Sequence, residues 1–225
     1  MLPFIARTAV SARPRFVFLL SLVCSASFAQ NQAPFRTYRS PDGAFELRYP
    51  ASFVRCSNSR PDDLESRFYW APDDCTHTQA DLCGNVQVSV RTQVCLAFPR
   101  VELKGRRWFQ SAAIYVAEVP GRSTTNECLQ NSDFEESWVA NVRDHVEING
   151  AKFKAFEVSD HWAGGGQSGT VYRSFHSGTC YELSAQVVVS GAAMETQQDV
   201  DYFHHEEPMV RARLTHVLHS FRFLK

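Results

Sequence analysis

GTVYRSFHSGTCYELSAQVVVS, residues 169–190, alternates apolar and polar side chains on both sides of Ser177-Gly178. A tight turn at those two residues predicts a β-hairpin with Tyr172 opposite Leu183, Ser174 opposite Tyr181 and Thr170 opposite Ala185. One apolar face then continues through Val187, while Arg173 meets Glu182 and Phe175 meets Cys180 on the other. β-branched and aromatic residues at period two make this the strongest local signal in the chain, and it is expected to form the middle of a sheet. It specifies structure, not chemistry.

Upstream, Gly164-Gly165-Gly166 reads as a flexible linker into that hairpin. Before it, Asn149-Gly150 lies between HVEI and AKFKAFEV, a pair that adopts a type I′ turn without steric cost. This second hairpin places Glu147 opposite Lys152, and Lys152 opposite His176 of the next strand. Residues 108–119 alternate Ala112, Ile114 and Val116 with Ala113, Tyr115 and Ala117, the pattern of a strand, although small residues also allow a helix. Residues 85–98 read as a strand with Val86, Val88 and Val90 on one face, followed by Cys95 and Leu96. Thr124 and Glu127 have the spacing of a capping box, which predicts a short helix carrying Cys128, and Phe134, Trp138, Val139 and Val142 can extend a helical face.

At the start, FRTYRS and AFELRYP flank the turn Pro41-Asp42-Gly43, with Phe45, Leu47 and Tyr49 on one face of the second strand. At the end, Val210, Leu214, Val217, Leu218 and Phe221 form the apolar stripe of a helix. Asp199, Asp201, Glu206 and Glu207 place negative charge at its start, Pro208 suits its first turn, and SFRFLK adds a last strand. The stripe needs a sheet, and the Tyr172, Tyr181, Leu183 face supplies one.

Residues 1–29 read as a secretory signal peptide: Arg7, Arg13 and Arg15 precede FVFLLSLV, and Ser27-Phe28-Ala29 predicts cleavage after Ala29. The apolar run is too short for a permanent membrane span, and no other run has membrane length. Val23 before Cys24 is too bulky for a lipoprotein site. The chain is therefore expected to be exported, periplasmic or extracellular. Residues 30–34 follow as a flexible lead, then a single domain over 35–225.

Cleavage leaves six of the seven cysteines: Cys56, Cys75, Cys83, Cys95, Cys128 and Cys180. An even set in an oxidising compartment predicts disulfides, and spacing singles out only Cys75 with Cys83, across a polar excursion at 57–84. None has the C-x-x-C spacing of a zinc site. Removing three arginines from the chain's 23 basic residues leaves 20 against 24 acidic, a formal charge of −4. That balance, with no basic face beyond 104–107, argues against nucleic acid.

The residues Tyr38-Arg39-Ser40-Pro41-Asp42-Gly43-Ala44-Phe45-Glu46-Leu47-Arg48-Tyr49-Pro50 resemble the opening strand pair of the PsbP/Mog1-like superfamily. LTHVLHSFRF, residues 214–223, is similar to that family's terminal helix and strand. The resemblance implies an α+β fold, an antiparallel β-sheet packed between helices as an α/β/α sandwich. It also implies roles in binding or assembly: photosystem II support, binding a small GTPase, or unassigned bacterial exported proteins. It supplies no shared catalytic residue. The six cysteines and the 57–84 excursion depart from the family pattern.

His204, His205 and Glu206, beside Glu207, are the densest set of metal-ligating residues, but adjacent helical residues point about 100° apart and the H-E-x-x-H pattern is missing. They read either as a solvated acidic helix or as a zinc or copper site completed by His161 or His219. Ser168 lacks the nucleophile-elbow spacing. Trp162, beside the glycine run, is either a lid on the core or a contact for a partner or glycan, and His161 and His176 are further contact candidates. The resulting expectation is an exported, non-catalytic binding or assembly module with an unknown protein or small-molecule partner and no cofactor. A hydrolase or metal-dependent enzyme using 204–207 is the alternative, and a metal-binding carrier the third reading.

Overall fold

Two turns set the long hairpins. Asn149 and Gly150 take φ of 47° and 81°, and Ser177 and Gly178 take 48° and 83°, the type I′ geometry whose twist matches that of paired strands. Asn149 also clasps the end of the chain, its Nδ2 donating to the carbonyl oxygens of His219 at 2.7 Å and Phe221 at 2.8 Å.

The computed structural model describes residues 34–56, 90–130, 136–191 and 195–224. Its strands are β1 (Phe35–Arg39), β2 (Phe45–Pro50), β3 (Val54–Cys56), β4 (Arg91–Ala97), β5 (Phe109–Glu118), β6 (Val139–Ile148), β7 (Ala151–Trp162), β8 (Gly165–His176), β9 (Thr179–Val189) and β10 (Arg222–Phe223). Helix α1 (Thr125–Cys128) follows β5, and α2 (Gln197–Leu218) follows β9. One antiparallel sheet has the order β3-β4-β5-β9-β8-β7-β6, and a smaller one β1-β2-β10. The described residues hold together as one compact unit. The signal-peptide segment, the 57–84 excursion, Cys75 with Cys83, Val86, Val88 and Phe134 lie outside the described residues.

The central hairpin takes the expected register, with Thr170, Tyr172, Arg173, Ser174 and Phe175 opposite Ala185, Leu183, Glu182, Tyr181 and Cys180. β9 is the middle strand of the seven. The 108–119 ambiguity resolves to a strand because β5 pairs with both β4 and β9. One apolar cluster joins Phe45 and Leu47 of β2, Ile114 and Val116 of β5, Tyr172, Tyr181 and Leu183 of the hairpin, and Val210, Leu214, Val217 and Leu218 of α2. Thus α2 and the small sheet cover one face of the large sheet. Among the described residues no helix is long and apolar enough to cross a membrane.

Four local expectations change. The helix does not begin at Pro208: Thr196 caps it, with Asp199 completing a capping box, and Pro208 lies in its interior. There the ring removes one N–H, so the His204 carbonyl loses its helical donor. Trp138, Val139 and Val142 form no helical face. Glu136–Trp138 is a 3-10 turn and Val139 opens β6, where pairing with β7 outweighs the local pattern. Glu147 does face Lys152, but the β7–β8 ladder starts at Lys154 opposite Arg173, so Lys152 does not face His176.

The fourth change is the glycine run, which is turn and strand rather than linker: Gly164, at φ 89°, lies in the turn, Gly165 pairs with Trp162 and Gly166 with His161. Close approach explains a glycine further along the same strand. A Cβ at Gly169 would overlap the Ala185 carbonyl oxygen and lie 2.7 Å from Gln186 Cα, both backbone atoms of β9. Gly169→Ala is therefore expected to cost about 2–3 kcal/mol by forcing the central strands apart. A drop in the urea midpoint would show it, and an unchanged midpoint would refute the close packing.

Candidate functional site

The face of the large sheet away from α2 carries polar side chains at period two, and they are buried. On β8 and β9, Arg173, Glu182 and Ser184 are 2%, 3% and 0% exposed. Arg173 Nε donates to Glu182 Oε2 at 2.8 Å and its Nη1 donates to the Gln130 carbonyl at 2.9 Å. Tyr115 Oη donates to Glu182 Oε1 at 2.6 Å. Further along the face, Gln167 Nε2 donates to Gln186 Oε1, and Gln186 Nε2 donates to Ser184 Oγ at 2.8 Å. The carboxylate thus meets a guanidinium and a phenol, contacts that offset the desolvation cost of burying the charges.

Burial first, and then the adjacent Glu182 carboxylate, push the Tyr115 phenol well above its ordinary value of 10.0. The unfolded chain releases this proton near pH 10 while the folded chain keeps it. The stability held at this site is therefore complete below about pH 10 and is lost as pH rises from there through the folded value. Tyr115→Phe is expected to flatten the alkaline decline, though not abolish it, because burial also raises Tyr38 and Tyr181. Urea titrations at successive alkaline pH values would show this, and an undiminished slope would count against it.

Disulfides anchor the same face. Cys128 of α1 is bonded to Cys180 of β9, with Cα atoms 5.4 Å apart, and Cys56 and Cys95 are disulfide-bonded as well. The Thr124 and Glu127 capping box forms as expected, and bonds from Ser123 and Thr124 hold the Glu127 carboxyl below its usual range. Through Gln130, at the end of α1, the disulfide also positions an acceptor for Arg173.

The contact candidates separate into two groups. His161 and Trp162 end β7, and His176 ends β8 at the far end of the sheet, roughly 35 Å away at the usual rise per residue. His176 stacks on Phe223 at 3.9 Å. Trp162 is 45% exposed, so it is no lid on the core, and its indole lies against Gly165, where a Cβ would come within 2.9 Å of Nε1. His161 packs over Gly166 on the opposite face. This end of the sheet is paired backbone, so it holds the indole in place.

The metal-ligating candidates do not gather. Glu206 receives both Arg106 Nε, at 2.7 and 2.9 Å, and Trp108 Nε1 at 3.3 Å. Arg106 also stacks over Tyr202 at 3.6 Å. Glu207 pairs with Arg211, which reaches Ser168 Oγ at 2.6 Å, so Ser168 serves helix docking. His204 and His205 are exposed. Among the described residues, no three His, Cys, Asp or Glu side chains are grouped to hold a metal. Sequence reasoning missed Tyr115, Ser184 and Gln186. Their alternation with Glu182 was visible, but polar alternation reads as a solvent face.

Fold and site together define a disulfide-bonded α+β domain on an antiparallel sheet, with a buried polar face and one exposed aromatic at a hairpin end. Similar solved structures include two of low identity. Cyanobacterial PsbP from Synechocystis sp. PCC 6803 is 11% identical with a TM-score of 0.44, over 87% of this chain and 96% of that one. A protein from Bacteroides thetaiotaomicron VPI-5482 is 9% identical with a TM-score of 0.40, over 84% of this chain and 48% of that one. No protein-family model and no curated protein matches the sequence.

Proposed function

We propose that this protein is an exported, non-catalytic binding or assembly module that meets its partner through the end of the β7–β8 hairpin. The observation that carries the reading is Trp162, a large aromatic left 45% exposed on backbone paired with β8. An exposed tryptophan in fixed geometry contributes contact area at little entropic cost. The Cys128–Cys180 disulfide supports an oxidising compartment and hence export. The long helix α2 on one face and the short α1 at one end of the other support a reduced α/β/α sandwich. The metal-dependent enzyme and carrier readings are weakened by Glu206, which Arg106 and Trp108 already engage.

The test is cross-linking and native mass spectrometry of the protein taken from its own host without reductant, as wild type and as Trp162→Ala. The reading expects a specific associated species that the variant loses while its disulfides and fold remain. Equal association by both proteins would overturn it.

A further inference from the structure

Residues opposite each other in an antiparallel ladder share a face, so Trp162 with Gly165 and Asp160 with Gln167 lie side by side. The glycine leaves a flat backbone floor against which the indole rests, with much of the ring open to solvent. Next to it stand a carboxylate and an amide, both half-buried. The bond from Gln167 to Gln186, continued to Ser184, fixes that amide in orientation.

An aromatic platform beside a carboxylate and an oriented amide suits a saccharide. A sugar ring with equatorial hydroxyls has an apolar C–H face that stacks on an indole, and a rim of hydroxyls that donate to a carboxylate and exchange hydrogen bonds with an amide. A peptide strand added along β7 would bind through edge backbone groups, not through the sheet face that carries the indole, carboxylate and amide. A phosphate or other anion would be repelled by Asp160. We propose that this hairpin end is a subsite for a neutral saccharide, the sugar lying on Trp162 with its hydroxyls on Asp160 and Gln167. The proposal rests on the hairpin end being the contact surface.

The probes are the tetramers of β-1,4-linked glucose and of β-1,4-linked N-acetylglucosamine, titrated by saturation-transfer NMR and tryptophan fluorescence. At least one is expected to bind, with affinity falling about tenfold or more in Trp162→Ala and in Asp160→Asn, while Trp162→Phe retains most of it. Asp160→Asn leaves the glycine floor and indole packing untouched, so its loss of affinity separates recognition from folding. Absence of binding by both tetramers, or binding indifferent to Trp162→Ala and Asp160→Asn, overturns the saccharide assignment. If both tetramers fail while Trp162→Ala still loses the native associated species, only the saccharide assignment falls. If that association is indifferent to Trp162, the contact surface itself falls.

Discussion

Replacing Glu182 by leucine is expected to lower the unfolding free energy by about 3–5 kcal/mol, because it leaves the Arg173 guanidinium in the interior without its carboxylate. The two side chains are 2% and 4% exposed, so water cannot take over the lost contact without opening the sheet. Tyr115 loses its carboxylate acceptor in the same substitution, which adds to the cost. Adding Arg173→Met removes the stranded charge, and the double variant should be more stable than Glu182→Leu alone. Urea unfolding of the wild type, both single variants and the double variant closes the cycle. A loss below 1 kcal/mol for Glu182→Leu would show that this face is far wetter than its burial implies.

Removing the Cys128–Cys180 disulfide by paired alanine substitutions should cost about 4 kcal/mol on the chain-entropy account, given the separation of 52 residues. The native structure adds a local consequence. Freed from β9, α1 no longer holds the Gln130 carbonyl against Arg173. Hydrogen exchange should therefore rise first in α1 and at the β8–β9 turn, before the α2 side of the sheet. Uniform exchange across the sheet would mean that α1 is held by packing rather than by the bond. Because both perturbations converge on Arg173, their costs should not simply add.

Much of this architecture was legible from local chemistry. Ser177-Gly178 and Asn149-Gly150 each set a hairpin because positive φ at both turn positions closes two strands, the first in one register throughout and the second with two shifts of β6 against β7. The apolar stripe of α2 identified its partner face, since Val210, Leu214 and Val217 can be buried only against a surface of similar kind. The helix start was misjudged because Pro208 is a strong local marker, yet the Thr196 and Asp199 box and the Arg106–Glu206 contact stabilise a helix that runs through it. The linker reading of Gly164-Gly165-Gly166 failed for a related reason. Glycine permits flexibility, but here it permits the close packing of Trp162 and His161 across a ladder.

At the candidate site, Trp162 could be singled out from the sequence, but whether it was a lid or a contact could not. Its exposure depends on where the hairpin ends relative to the rest of the sheet. His204, His205 and Glu206 adjoin in sequence and diverge in space because a helix turns about 100° per residue, which sends Glu206 to Arg106 and leaves the histidines outside.

What the sequence by itself determined is the pairing of neighbours: turns, alternation, helix stripe and the central register all arise from interactions within a few residues or across one turn. Only the tertiary structure decided which polar row is buried. Glu182, Ser184 and Gln186 have the period of a solvent-facing strand, and they become an interior network because Tyr115, Arg173 and Gln130 arrive from other elements to satisfy them. Burial is a property of everything packed around a residue, and a polar group's partners can be far away along the chain.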